Sequence, residues 1–116
     1  MSKKDDNVYL GHMLEKARKI CAKSAGLDRA RFDADEDLRL ALLHLVQVVG
    51  EAAGRVSAQT RAAHPEILWH KITGMRHRIV HDYINVSDNV LWEVVTKDLP
   101  PLAAMLEKIV PPEAEA

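Results

Sequence analysis

Ten consecutive residues, Gly74-Met75-Arg76-His77-Arg78-Ile79-Val80-His81-Asp82-Tyr83, crowd two guanidinium groups, two imidazoles, a carboxylate and a phenol into one short stretch. An arginine and a histidine facing an anionic substrate suit phosphodiester chemistry. The imidazole takes a proton from a ribose hydroxyl or gives one to the leaving oxygen, and the guanidinium fork holds charge on the phosphorus-centred transition state. That division of labour needs no metal. The plainer reading is that Arg76 and Arg78 pair with surface carboxylates and that His81 is a hydrogen-bonded helix residue. His77 and His81, four apart, also have the spacing of metal ligands on one helix face, but the sequence offers no obvious third ligand. On a helix, Arg78 and His81 share a face whereas Arg76 and His81 stand about 140° apart. Arg76 and His81 therefore line one pocket only if the helix ends or bends near His81, or if a second chain brings its own pair alongside. Tyr83, where the helix is expected to stop, either shows its hydroxyl beside the basic residues or buries it against a carbonyl.

The surroundings of this stretch are positive although the whole chain is not. Lys and Arg number 16 against 17 Asp and Glu, a formal net charge of −1. Between Arg55 and His81, however, Arg55, Arg61, Lys71, Arg76 and Arg78 face only Glu66, a net +4, and four of the six histidines, His64, His70, His77 and His81, lie there too. An anionic partner such as nucleic acid is one reading, and solvated helix faces are the other.

The elements that must position these residues read as helices. Apolar residues recur at three and four, nothing alternates over a sustained run, and no sheet is expected. A first helix is predicted from the Asp5-Asp6-Asn7 cap to a stop at Gly26. Asp33 with Glu36 resembles a capping box that opens a second, longer helix through about Val56. Its apolar stripe is so wide around Val46 to Val49 that more than one neighbour must cover it, another copy of the chain being one candidate. Gly50 and Gly54 would admit a close helix, in the core or across a dimer. Ser57 to Pro65 reads as a loop, followed by a helix through Ile67, Leu68, Ile72 and Met75. Gly74 marks a bend or a tight contact, and the helix resumes to about Tyr83. Ser87 or Asp88 should cap a last helix that Pro100-Pro101 breaks or kinks. The expected architecture is all-α, a four- to five-helix up-and-down bundle over residues 1–110, with 111–116 a frayed tail.

Composition narrows the function classes. The chain has 116 residues, 47% apolar and 28% charged, which fits one globular domain and excludes a disordered or rod-like chain. No apolar run approaches a membrane span, and Met1 to Asn7 lacks the apolar core of a signal peptide, so the cytoplasm is the expected compartment. Cys21 is alone and sits in an apolar stripe, as a packing residue rather than a thiol nucleophile. Trp69 and Trp92 fall on apolar stripes as core anchors. Glycine-rich phosphate loops, helical zinc-protease motifs and nucleophile elbows are absent.

The residues resemble a known family. Arg76-His77-Arg78-Ile79-Val80-His81-Asp82-Tyr83 looks like the Arg-x4-His-x-Tyr signature of HepT-like proteins, all-helical members of the HEPN superfamily encoded beside minimal nucleotidyltransferases. Gly50-Glu51-Ala52-Ala53, Pro65-Glu66-Ile67-Leu68-Trp69, Gly74-Met75, and Leu91-Trp92 followed by Asp98-Leu99-Pro100-Pro101-Leu102 resemble the family pattern in order and spacing. The resemblance implies a homodimeric, HEPN-like ribonuclease toxin, with a composite site in the dimer cleft that cuts RNA without metal or other cofactor. It assigns Arg76 and His81 as the catalytic pair, with His77 at a polar position most often occupied by Asn in these proteins. His77 and Arg78 are the expected substrate-binding residues. Tyr83 matches the tyrosine that the cognate nucleotidyltransferase antitoxin modifies with AMP, which would block RNA by bulk and repulsion. The competing expectation is a non-catalytic helical module that assembles with a nucleotidyltransferase.

Overall fold

The structure, a computed structural model, describes residues 3–82 and 85–112. Helix α1 (Lys3–Ser24) packs along α3 (Glu36–Arg55) and the final helix α8 (Leu99–Ile109). Between the first two lies a short helix, α2 (Arg29–Ala34). After α3 come α4 (Ala58–Ala63), α5 (Trp69–Thr73) and α6 (Met75–Ile79), then strands β1 (Val80–Asp82) and β2 (Asn85–Val86), helix α7 (Asp88–Glu93) and a π-helical turn, Val94–Asp98, that runs into α8. The four rods α1, α3, α5 with α6, and α7 with α8 form the expected all-helical architecture. No helix among the described residues is long and apolar enough to cross a membrane.

α3 is the central rod because its apolar stripe is wide. Leu42, Val46, Val49 and Ala53 are fully buried, and α1, α2, α5, α6 and α7 all contact this helix. The neighbours that cover the stripe are thus found within the chain. Phe32, Met13, Leu14, Ile20, Ile67, Met75, Ile79, Leu91, Leu99 and Leu106 complete the core, each burial contributing roughly 1.5–3 kcal/mol. Trp69 and Trp92 anchor it as expected. The Trp69 indole N–H donates to the carbonyls of Arg61 and His64, both at 3.1 Å, and the Trp92 ring lies 5.0 Å from Phe32.

Local chemistry explains the boundaries. Gly26 ends the first helical segment at φ +69, a conformation that favours glycine. Asp33 does not open α3 as expected; it lies inside α2, 2.8 Å from Arg29, and Asp35 caps α3 by accepting from the Leu38 N–H at 3.0 Å. The expected loop after α3 contains α4 instead, capped by Ser57, whose hydroxyl accepts from the Thr60 N–H. Asp5 and Asp6 lie inside the first turn of α1 rather than at a cap. Asp6 is buried, accepting from the Ser57 N–H at 2.9 Å and from the hydroxyls of Ser57 and Thr60.

The prolines do not break the last rod. Pro100 and Pro101 lack N–H groups and sit in the first turn of α8, where a helix leaves those donors unused. The π turn absorbs the mismatch: the Leu99 N–H reaches back five residues to the Val94 carbonyl, and the Thr96 hydroxyl donates to the Trp92 carbonyl at 2.6 Å.

Candidate active site

Gly74 separates α5 from α6. Its N–H donates to the His70 carbonyl at 3.0 Å, and a Cβ built there would stand 3.1 Å from that oxygen. Gly50, on α3, lets the backbone of α5 approach closely, since its Cβ would meet the Ile72 carbonyl at 3.3 Å. No atom would meet a Cβ on Gly54, so of the two small residues Gly50 alone makes a tight contact within the chain. α5 and α6 are thereby pressed onto the core as two short pieces.

α6 is anchored by Met75 and Ile79, 1% and 0% exposed, one turn apart on its inner face. Arg76 and His77 consequently face solvent, and Arg78 is partly covered. The helix does not continue to Tyr83. It stops at Ile79, where Val80 turns extended and its N–H bonds to the Arg76 carbonyl. The chain then forms a small antiparallel hairpin, against the expectation of no sheet, with Val80 opposite Val86 and Asp82 opposite Asn85. The Ser87 N–H closes it on the Ile79 carbonyl at 2.7 Å, and the Ser87 hydroxyl caps α7. The β-branched run Ile79-Val80 favours this extended exit.

This ending decides the geometry of the pair. At the start of β1, Val80 packs against the core and His81 is exposed to solvent. Arg76 at the start of α6 and His81 just beyond its end stand on either side of one helix-to-strand turn. His77 and His81 do not share a helix, so their spacing of four no longer describes a common face. Among the described residues no group of three or more His, Cys, Asp or Glu is arranged to hold a metal. Tyr83 lies outside the described residues.

Ion pairs sort the cations of the basic segment. Asp98, in the π turn, accepts Arg78 at 3.3 Å on one oxygen and Lys71 at 3.1 Å on the other. The surface-pairing alternative therefore describes Arg78 and not Arg76. Arg76, His77 and His81 are exposed, with no hydrogen-bond or ion-pair partner among the described residues. Sequence reasoning noted Asp98 only within a pattern; its role beside Arg78, twenty residues away, has no signal in local spacing. Cys21 is half-buried on α1, and burial pushes its thiol pKa up, the nearby Glu107 adding to the effect. That fits a packing residue.

Comparison with known proteins bears on what this corner does. The family model "Ribonuclease HepT-like" matches residues 13–109. The chain is 30% identical over 95 residues to the "Probable ribonuclease HepT" of Thermococcus cleftensis, covering 82% of this chain and 80% of that protein. It is 28% identical over 105 residues to a "Putative RNase" of Caldanaerobacter subterraneus subsp. tengcongensis, covering 90% of this chain and 94% of that one. A "Putative RNase" of Methanocaldococcus jannaschii is 26% identical over 107 residues, covering 92% and 98%. No solved structure gives a significant match. With the family model spanning the bundle from the middle of α1 to the end of α8, the chain belongs to the Ribonuclease HepT-like family.

Proposed function

We propose that the chain is a metal-independent endoribonuclease toxin, cutting RNA at a site composed from two copies and silenced by a cognate nucleotidyltransferase. Family membership supports the ribonuclease. The observation that carries the assignment to residues is the placement of Arg76 and His81 at one helix-to-strand turn, both solvent-facing and without a side-chain partner among the described residues. In the reaction, an imidazole takes the proton of a ribose 2′ hydroxyl, the 2′ oxygen bonds to phosphorus, and the bond to the 5′ oxygen breaks. A protonated imidazole returns a proton to that leaving oxygen, giving a 2′,3′-cyclic phosphate and a 5′ hydroxyl. Arg76 holds the charge on the phosphoryl oxygens. His81 supplies the imidazole that handles the proton.

The open setting of the pair favours a composite site. A second copy seated over the exposed Arg76 and His81 would enclose the pair and exclude water. His77, exposed next to Arg76, completes the phosphate-binding surface. Arg78 contributes field from its place on Asp98. AMP on Tyr83, two residues from His81, would add bulk and negative charge where RNA enters.

Intact mass tests this reading. The protein is purified with and without the cognate nucleotidyltransferase and ATP, and each sample is incubated with RNA. We expect cleavage by the unmodified protein, and a mass gain in units of AMP on Tyr83 that abolishes it. No gain and no cleavage would instead leave a helical module that only assembles with the nucleotidyltransferase.

A further inference from the structure

The basic segment holds more unneutralised charge than the catalytic turn uses. Lys71 and Arg78 share Asp98, His64 lies 3.5 Å from Glu66, and the Arg55 guanidinium sits over the Tyr9 ring at 6.0 Å. That leaves Arg61 and His70, besides Arg76, His77 and His81, with neither a carboxylate nor an aromatic ring against the side-chain charge or imidazole among the described residues. Arg61 and His70 line the same groove, about 530 Å³ in volume, between α4 and the start of α5. Its floor is apolar, with Pro65, Trp69 and Leu68, the last 61% exposed, and no Asp or Glu lines it. The Arg61 Nε is buried with no acceptor among the described residues.

We propose that this groove is a second RNA subsite, which takes one nucleotide of the strand flanking the scissile bond. A nucleotide pairs a flat apolar base with an anionic phosphate, and the groove pairs an apolar floor with Arg61 and His70. A bare phosphate would leave the floor unused, and an apolar helix of a partner protein would leave the Arg61 guanidinium unmatched. The path is continuous in the chain. α5 carries His70 directly into α6, which carries Arg76 and His77; a strand held at the catalytic turn and running back along α5 would reach the groove. This inference rests on the ribonuclease reading of Arg76 and His81 and adds to it a length requirement: RNA too short to reach α4 gains nothing from the groove.

The test compares RNA of about four and about twelve nucleotides, a span within the site sizes of single-strand binders. Cleavage is measured on both lengths, and binding on their uncleavable 2′-O-methyl forms, with wild type, Arg61→Ala, Arg61→Lys and Leu68→Ser. Arg61→Ala should weaken binding of the long strand about tenfold and lower the slope of log Kd against log salt by about 0.7, with short-strand cleavage unchanged. Arg61→Lys should keep the salt slope. Leu68→Ser should weaken the long strand at unchanged slope. Equal preference for long RNA in wild type and variants would overturn the inference and leave the ribonuclease intact. So would a Leu68→Ser protein of altered mass by light scattering with unaltered RNA binding, which would make the groove a protein interface. Absence of cleavage and binding by wild type would overturn both readings together.

Discussion

Truncating Asp6 to alanine should cost about 4 kcal/mol of folding free energy at neutral pH. Asp6 is 3% exposed and is the buried charged side chain among the described residues. One carboxylate oxygen accepts from the Ser57 N–H at 2.9 Å, and the other accepts from the Ser57 hydroxyl at 2.6 Å and the Thr60 hydroxyl at 2.5 Å. Hydrogen bonds to a charged acceptor contribute about 1.5–3 kcal/mol each, and three that share one carboxylate fall short of their sum. The Ser57 hydroxyl is also the cap of α4, so Asp6 fixes the cap it bonds and ties α1 to α4. A loss of that size is a large part of the roughly 5–15 kcal/mol of a small domain and would lower Tm by about 15 °C. Burial alone would push the Asp6 pKa up, but the hydrogen bonds from Ser57 and Thr60 outweigh it and hold the carboxyl below its ordinary value. The folded state therefore binds this proton less readily than the unfolded chain. The stabilisation is complete above the unfolded value of about 3.9 and is lost as pH falls through the lower folded value. Urea unfolding followed by circular dichroism, at fixed protein concentration, should give a flat gap between wild type and Asp6→Ala from about pH 6 to 8 and a narrowing gap below about pH 4. A gap under about 1 kcal/mol at neutral pH, or one that widens on acidification, would refute the reasoning.

Two further substitutions probe how the site is positioned. Gly74→Ala should destabilise by about 1–3 kcal/mol rather than gain the ~1 kcal/mol that helix propensity offers, because its Cβ would meet the His70 carbonyl, a backbone atom, at 3.1 Å. Urea midpoints check the sign, and RNA cleavage should fall with it as α6 is displaced. Cys21 should react slowly with an aromatic disulfide reagent in the native protein and rapidly in urea, since burial raises its thiol pKa; equal rates would show the thiol to be open.

Much of the bundle was legible because helical periodicity and capping chemistry are local. Gly26, Ser87 and the apolar spacing of α1 and α3 mark their elements directly. Asp33 misled because Asp35, two residues on, is an equal cap, and because Asp28 caps a separate short helix whose Phe32 packs into the core. The hairpin was missed for a related reason: Ile79 and Val80 fit the end of a helix or the start of a strand, and the pairing of Val80 with Val86 is set by a later segment. Asp6 looked like a surface cap because its partners, Ser57 and Thr60, are some fifty residues away. Of the proposed site, the residue types at Arg76 and His81 were readable, and so was the condition that the helix end before His81, which it does at Ile79. The pairing of Arg78 and Lys71 on Asp98 was not, because it depends on how the last rod packs against α5 and α6.

The central claim is that Arg76 and His81 cleave RNA. Cleavage of a labelled RNA by the purified protein tests it, with Arg76→Ala and His81→Ala each checked for native helix content and urea midpoint. Both variants should fold as wild type, since both side chains are exposed and without partners among the described residues, and each should lose about 100-fold or more in rate. Two folded variants that cut RNA at the wild-type rate would contradict the account.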